Sequence, residues 1–361
     1  MKKLKIINTV YGDATGGRWQ AMLNIADTLE QIGGHEVVLL RGEENKHLSS
    51  GQRPIHVIPN TGFYSIIAAM KVRNFIQQQQ PDAVIAHSGK AVWLFKNAMI
   101  GMEKKIPVIA VNHSHNVKRT VRADAFIHIT PYIQDLVKSR LTKEQDEQKM
   151  HRVISNLMHL PDEPALPSPL KSPPTIGMLT RMIPNKGVHV VIEAIHILNK
   201  RGISINAILA GDGENKQEYQ EMVKSFGIEH LVKFPGWVDA QQKVEIYHQA
   251  DMMAITSLTD IQPLGILDAF GWGKIVLSSD HIGPMQVCKH RENAWVSKVG
   301  DPEDLANGIE YLINHPDEAL EIAQNAKQEA LNIYSFEQIA KEHNKFISEV
   351  VEYFNSLRAK S

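Results

Sequence analysis

Short apolar runs alternate with amphipathic helical patterns along nearly the whole chain, and this alternation limits its fold more than any other feature. In the first half, residues 6–10, 36–40, 82–86, 108–111 and 125–129 read as buried strands, and 19–32 as a helix. In the second half the strands fall at 175–179, 207–210, 252–256 and 275–278. Between the first two of these, Val188, Val191, Ile192, Ile195 and Leu198 recur at helical spacing. Strands that are apolar without alternation must be buried on both faces, which points to parallel sheets covered by helices. The expected architecture is α/β, with two doubly wound, Rossmann-like domains in tandem. Ligands of such sheets bind beyond the carboxyl ends of the strands, and in a tandem pair the cleft between the domains is the expected place.

A proline-rich stretch divides the two halves. Residues 159–174 contain six prolines and no periodicity, which favours extended chain. The expected domains are 1–165 and 166–334, followed by a long amphipathic helix over 335–361 that packs back on the first domain. Ser335 is a candidate cap for that helix, with Gln338 three residues on. The net charge of −1 hides an asymmetry, because the part before residue 166 carries +6 and the rest −7. Opposite signs suggest a different partner for each half. The near-neutral total argues against a dedicated nucleic-acid binder. The single cysteine, Cys288, excludes an internal disulfide and a multi-cysteine zinc site. With no signal peptide and no run of 18 apolar residues, a soluble cytoplasmic protein is expected.

Several polar segments fall at strand ends. Gly16-Gly17 lies between the first strand and its helix but lacks the Gly-x-Gly-x-x-Gly spacing of a nicotinamide dinucleotide site. A simple tight turn is the alternative reading. Arg181 and Lys186-Gly187 precede the helix from 188. Cations are disfavoured at a helix start unless an anion binds there, and a diphosphate would account for both; two solvated surface cations are the plain alternative. Gly211-Asp212-Gly213 and Phe234-Pro235-Gly236 are turn signals. Asp260 stands in a polar turn and Asp268 eight positions later on a helix that Pro263 introduces. Carboxylates there can accept hydrogen bonds from sugar or ribose hydroxyls, and the backbone N–H groups near Leu264 and Gly265 would face a phosphate. Alone, the same residues are also a helix start and a surface aspartate. His113 ends an apolar run, with His115 two residues on and His87 at the end of an earlier strand. No third metal ligand accompanies them and no Asp-x-Asp pair occurs, so no metal site is expected.

In this order and spacing the segments resemble a retaining glycosyltransferase of family four (glycosyl transferases group 1), of the two-domain GT-B type. The resemblance spans essentially the whole chain and is strongest over 175–290. It rests on Gly16-Gly17, His113, Ile154-Ser155-Asn156, Gly177 through Arg181 to Lys186-Gly187, Gly211-Asp212-Gly213, Phe234-Pro235-Gly236, and the pair Asp260 and Asp268. It implies transfer of a hexose from a nucleoside diphosphate sugar to a glycan or glycolipid, with no further cofactor; the alternatives are a non-catalytic binding subunit of the same fold, prompted by the two aspartates, or another GT-B activity such as a phosphorylase or a nucleotide-sugar epimerase. Gly16 and Gly17 would approach the donor phosphates, and Arg181 and Lys186 would hold the diphosphate, with Gly211 beside them. Asp268 would bind the ribose, and Asp260 would lie near the donor sugar. Ile261, Gln262, Pro263, Leu264 and Gly265 would supply backbone contacts. His113 would lie beside the reacting sugar as a catalytic residue, together with Asp260. The pattern from His113 through Lys118-Arg119 to Asp124 is similar to that of bacterial lipopolysaccharide-core glycosyltransferases. It suggests His115, Lys118 and Arg119 as acceptor contacts, and a phosphorylated or lipid-linked acceptor at an anionic membrane face. Two departures stand out. The family's paired glutamates are aspartates here, and Gln262 replaces a common phenylalanine.

Overall fold

A computed structural model describes residues 2–12, 17–45, 47–59, 65–158 and 166–359. The chain divides into two compact units, 1–157 with 336–361, and 158–335.

The first unit contains β1 (Lys5–Val10), α1 (Gly17–Gln31), β2 (Glu36–Gly42), β3 (Ile55–Ile58), α2 (Ile66–Gln79), β4 (Ala83–Ala86), α3 (Gly89–Ala98), β5 (Val108–Asn112), β6 (Ala125–His128), α4 (Pro131–Lys138), α5 (Lys143–Glu147) and β7 (Met150–Val153). Among the described residues its parallel sheet has the order β3-β2-β1-β4-β5-β6-β7. The sequence direction of the sheet reverses between β1 and β4. Strands β4, β5 and β6 are buried along their whole length, the pattern expected of a sheet covered on both faces.

The second unit contains β8 (Thr175–Leu179), α6 (Val188–Lys200), β9 (Asn206–Ala210), α7 (Lys216–Ser225), β10 (Val232–Gly236), α8 (Ala240–Gln249), β11 (Met252–Ile255), α9 (Leu264–Gly271), β12 (Ile275–Ser279), β13 (Trp295–Ser297), α10 (Pro302–Asn314) and α11 (Pro316–Glu329). The strand order is β10-β9-β8-β11-β12-β13, so β8 and β11 flank the point of reversal. Helix α6 buries Val188, Val191, Ile192, Ile195 and Leu198, the residues at helical spacing in the sequence, in the core of this unit.

The last helix, α12 (Phe336–Ala359), belongs to the first unit. It buries Ile339, Phe346, Ile347 and Val350 with Ile25 and Leu29 of α1. Asn344 fixes the contact: its Nδ2 donates to the Thr28 carbonyl at 3.0 Å, and its side chain fills the space beside Gly33. The Thr28 hydroxyl donates to the Ile25 carbonyl and accepts from His343 Nδ1 at 3.2 Å. No helix among the described residues is long and apolar enough to cross a membrane.

Replacing Ile347, fully buried at this contact, by alanine removes apolar contacts that the helices cannot refill. Ile347→Ala is expected to cost about 2–5 kcal/mol in urea unfolding of the first unit. The exposed Ile67→Ala change should cost little.

Candidate functional site

In the second unit the strand-end loops at the reversal point are tied into one surface by backbone approach. After β8, Thr180 N donates to the Ala210 carbonyl at 3.0 Å, Met182 N to the Asp212 carbonyl at 2.8 Å, and Asn215 N to the Met182 carbonyl at 3.0 Å. After β11, Leu258 N donates to the Asn185 carbonyl at 2.9 Å and the Thr256 hydroxyl to the Gly187 carbonyl at 3.0 Å. A Cβ on Gly211 would lie 1.7 Å from the Thr180 carbonyl oxygen, and one on Gly187 would lie 2.1 Å from that of Thr256. Both glycines also have positive φ, 137° and 69°. Only glycine meets both demands.

On this surface the cations and carboxylates of the sequence analysis come together. Lys186 Nζ lies 2.5 Å from Asp260 Oδ2, and both side chains are largely buried. The Asp260 carbonyl accepts from His281 Nδ1 at 3.1 Å, and a Cβ on Gly283 would lie 1.8 Å from that carbonyl oxygen. The polar turn is thus gripped from three sides. Asp268, on α9, pairs with Lys243 Nζ of α8 at 2.6 Å. Arg181 is exposed and makes no side-chain hydrogen bond among the described residues. Lys186 and Arg181 differ from the expected pair at one helix start. Lys186 sits in a short 3₁₀ turn, Pro184–Lys186, and Arg181 in the loop before it, while α6 begins at Val188.

Helices α6 and α9 both begin without a side-chain cap, after Gly187 and Pro263 respectively. Helices α3, α4, α8 and α10 do have one, from Ser88, Thr130, Asp239 and Asp301. Uncapped N–H groups at a strand-end surface are free to bind an anion. Ile261, Gln262, Pro263, Leu264 and Gly265 are all half-buried in the approach to α9. Asp212 caps its own loop, accepting from Gly213 N at 2.8 Å and facing Lys216 Nζ at 3.3 Å.

In the first unit a pocket of about 370 Å³ opens at the reversal point between β1 and β4. Tyr11, Arg18, His87, Lys90, His113 and Arg119 are among its lining residues. His113 Nε2 lies 3.0 Å from His87 Nδ1, and His87 Nε2 lies 2.8 Å from Asn8 Oδ1. Burial holds His87 well below the usual histidine range. Burial, with the Arg18 charge, lowers His113 to about 3. His115 packs edge-on against Tyr132 and, like Lys118, does not line the pocket. Gly17 is the first residue of α1, and Gly16 lies outside the described residues. A second histidine chain runs beside the first: His128 Nε2 lies 3.0 Å from His151 Nδ1, and His151 Nε2 lies 3.0 Å from Asp146 Oδ1. Among the described residues no cluster of three or more His, Cys, Asp or Glu could hold a metal ion. Burial raises the Cys288 thiol to about 12, so it is an inert core residue.

Lys243, His281 and Thr256, which position the acidic pair, and Asn8, which supports His87, did not stand out in the sequence. The polar residues within apolar strand ends, Asn8 in β1 and Thr256 after β11, were a signal that could have found two of them.

Two family matches together cover most of the chain. Residues 165–329 match the family described as glycosyl transferases group 1, and residues 15–156 match glycosyltransferase family 4. The lipopolysaccharide core biosynthesis glycosyltransferase LpsE of Rhizobium meliloti is 24% identical over 334 residues, covering 90% of this chain and 93% of its own. Among solved structures, HepE of Anabaena in complex with UDP and glucose has a TM-score of 0.73 at 20% identity, over 96% of this chain and 100% of HepE. The lipopolysaccharide outer core galactosyltransferase WaaB has a TM-score of 0.77 at 17% identity, over 96% of this chain and 100% of WaaB. The shared fold is GT-B.

Two outcomes follow from this geometry. Gly187→Ala forces a left-handed backbone and a clash with Thr256, and should cost roughly 1–3 kcal/mol in unfolding of the second unit. Burial also lowers His128 and His343 to about 3. For such groups the unfolded chain takes up protons first, near the ordinary value of about 6.5. Their stabilising contribution is therefore full above that value and declines as pH falls toward about 3. The melting temperature should drop between pH 7 and pH 5, and less steeply in His343→Gln.

Proposed function

Since the chain belongs to the glycosyl transferases of group 1, we propose that it moves a hexose from a nucleoside diphosphate sugar to a glycan or glycolipid acceptor, with retention at the anomeric carbon. The observation that carries this reading is the meeting of Lys186, Asp260 and the start of α9 at the reversal point of the second sheet. Retention rests on the family resemblance. The UDP and glucose held by HepE support a nucleotide-sugar donor. The names of LpsE and WaaB support a role in lipopolysaccharide or related cell-surface polysaccharide assembly.

In this reading Arg181, Lys186 and the uncapped N–H groups of α9 hold the diphosphate. As the bond between the anomeric carbon and the phosphate oxygen breaks, negative charge grows on that oxygen, and the fixed cations stabilise it where it forms. Gly211 keeps the loop after β9 close enough for backbone contact, and Gly17, the first residue of α1, offers its backbone as a phosphate contact. Asp260, oriented by Lys186 and His281, stands near the sugar. Asp268 takes the ribose. An aspartate is one methylene shorter than the family's glutamate, so the ribose is reached through a bridging water or a closer approach of α9. Ile261, Gln262, Pro263, Leu264 and Gly265 offer backbone groups to the sugar and phosphate. His113 contacts the reacting sugar. Arg119, with His115 and Lys118 on the neighbouring surface, faces the acceptor. Those cations also suit an anionic membrane face, where a lipid-linked acceptor would be held.

A thermal-shift panel of nucleotide sugars tests the donor class, since a ligand bound only by the folded chain raises the midpoint. Lys186→Ala should lower kcat/KM by roughly 10²-fold, while the exposed Lys224→Ala leaves it unchanged. Equal activity of the two would remove the assignment. The anomeric configuration of the product, read by NMR, decides retention. Failure to bind vesicles of anionic lipid at low salt would dismiss the membrane contact.

A further inference from the structure

The pocket histidine of the first unit is held at one end by a chain of hydrogen bonds whose direction can be worked out atom by atom. Asn8 on β1 is fully buried. Its Nδ2 donates to the Met22 carbonyl of α1 at 2.8 Å, and a carbonyl can only accept, so the amide has a single orientation. The Asn8 Oδ1 therefore points at His87 Nε2, 2.8 Å away. An amide oxygen also only accepts, which puts the His87 proton on Nε2. In a neutral imidazole the other nitrogen is then a bare acceptor. His87 Nδ1 must accept from the nitrogen it faces, His113 Nε2, at 3.0 Å. The two rings are nearly parallel, 14° apart in plane with centroids 5.3 Å apart, a spacing that fits edge-to-edge N–H to N contact. His113, neutral for the reasons given above, keeps its own proton on Nε2. Its Nδ1 is left as an acceptor with no partner among the described residues, on a ring that lines the pocket.

The frame that holds this chain is rigid. Asn8 lies in the centre of β1, paired on either side with β2 and β4. His87 N donates to the Thr9 carbonyl at 2.9 Å, so the His87 backbone is locked one residue beyond β4. His87 is 2% exposed, and both of its ring nitrogens are engaged.

We propose that Asn8 and His87 are positioning residues that hold His113 as its Nε2–H tautomer, so that Nδ1 accepts a hydrogen bond from a hydroxyl of the bound sugar. This deepens the reading in which His113 lies beside the reacting sugar, and its sugar contact rests on that reading. The chemistry selects the group it meets. A neutral acceptor repels a phosphate or carboxylate oxygen and takes a hydroxyl, whereas Arg18, Lys90 and Arg119 in the same pocket suit an anion. The pocket is thereby divided into a hydroxyl-reading wall and an anion-reading wall. Reversal of the His113 tautomer would place an N–H there, which a phosphate or carboxylate oxygen accepts as readily as a hydroxyl, so the discrimination between them would be lost.

The test is long-range ¹H–¹⁵N correlation of the full chain labelled at histidine, with His113→Gln to assign the signal. The wild type should show His113 protonated at Nε2 and bare at Nδ1. In His87→Phe, which keeps the ring volume, and in Asn8→Leu, the His113 signal should become a mixture of tautomers. Release of nucleoside diphosphate from the nucleotide sugar with the largest thermal shift should then fall about tenfold in kcat, the worth of one hydrogen bond. The thermal shift given by that nucleotide sugar should be nearly unchanged, which a merely unfolded variant would not allow. A wild-type His113 protonated at Nδ1, or an Nε2–H signal that persists in His87→Phe, overturns the relay. Full turnover in His113→Ala instead overturns the sugar contact and the reading beneath it, whatever the tautomer.

Discussion

The hydrogen bond from the Thr256 hydroxyl to the Gly187 carbonyl, 3.0 Å long, brings the backbone after β8 against the backbone after β11. Nearly everything proposed for the second unit depends on that approach. Lys186 precedes Gly187 and Asp260 follows Thr256 by four residues, so the ion pair forms only if these two loops touch. The same device recurs on both sides. Gly211 packs on the Thr180 carbonyl and Gly283 on the Asp260 carbonyl, each where a Cβ would lie under 2 Å from the oxygen. Three glycines thus close the ends of neighbouring strands into one continuous surface. Backbone at such a surface can approach a ligand as closely as it approaches itself.

The charges on that surface are positional more than stabilising. Two carboxylate–lysine pairs, Lys186 with Asp260 and Lys243 with Asp268, occupy the acidic positions. Lys243 is partly exposed, and pairs near the surface contribute about 0–1 kcal/mol. Their value lies in geometry. Asp260 is held by Lys186 on its carboxylate and by His281 on its carbonyl, so the short side chain has a fixed direction. The −7 of the chain from residue 166 onward is therefore a poor guide to the local field, because the site itself mixes both signs.

What could be read from the sequence follows burial. Strands at the sheet centres are buried on both faces and stand out as unbroken apolar runs, as in Val84–Ile85 and Val108–Val111. The strands that went unread lie at or beside the edges. β3 leaves His56 and Val57 exposed, β7 carries Met150, His151 and Arg152, and β13 is three residues long. With one side open, their sequences carry a mixed pattern that does not separate them from loops. Within the candidate site, Arg181, Lys186 and Asp260 stood out because each lies in a loop that follows a strand, and Asp268 because it stands eight positions after Asp260 on the next helix. Lys243 and His281 were not. They reach the acidic pair from elements 25 and 21 residues away, and local pattern does not say which surface side chains meet across helices.

The histidines show the same limit from the other side. His87 and His113 are 26 residues apart, and only the strand order sets them side by side, since β4 and β5 are neighbours in the sheet. Burial is the main reason both remain neutral. A protonated imidazole at either place would also lie near the Arg18 charge, and its second N–H would oppose the proton order of the chain. The cost falls on the charged form, so the pair keeps one proton per ring and the direction of the chain is fixed by its buried end. Asn8 sits at that end for a physical reason: a hydroxyl could rotate and a carboxylate would bring charge, whereas an amide anchored on a helical carbonyl has one orientation. A neutral, directional acceptor beside Arg18, Lys90 and Arg119 is what a pocket needs if it must tell a hydroxyl from a phosphate within a single ligand.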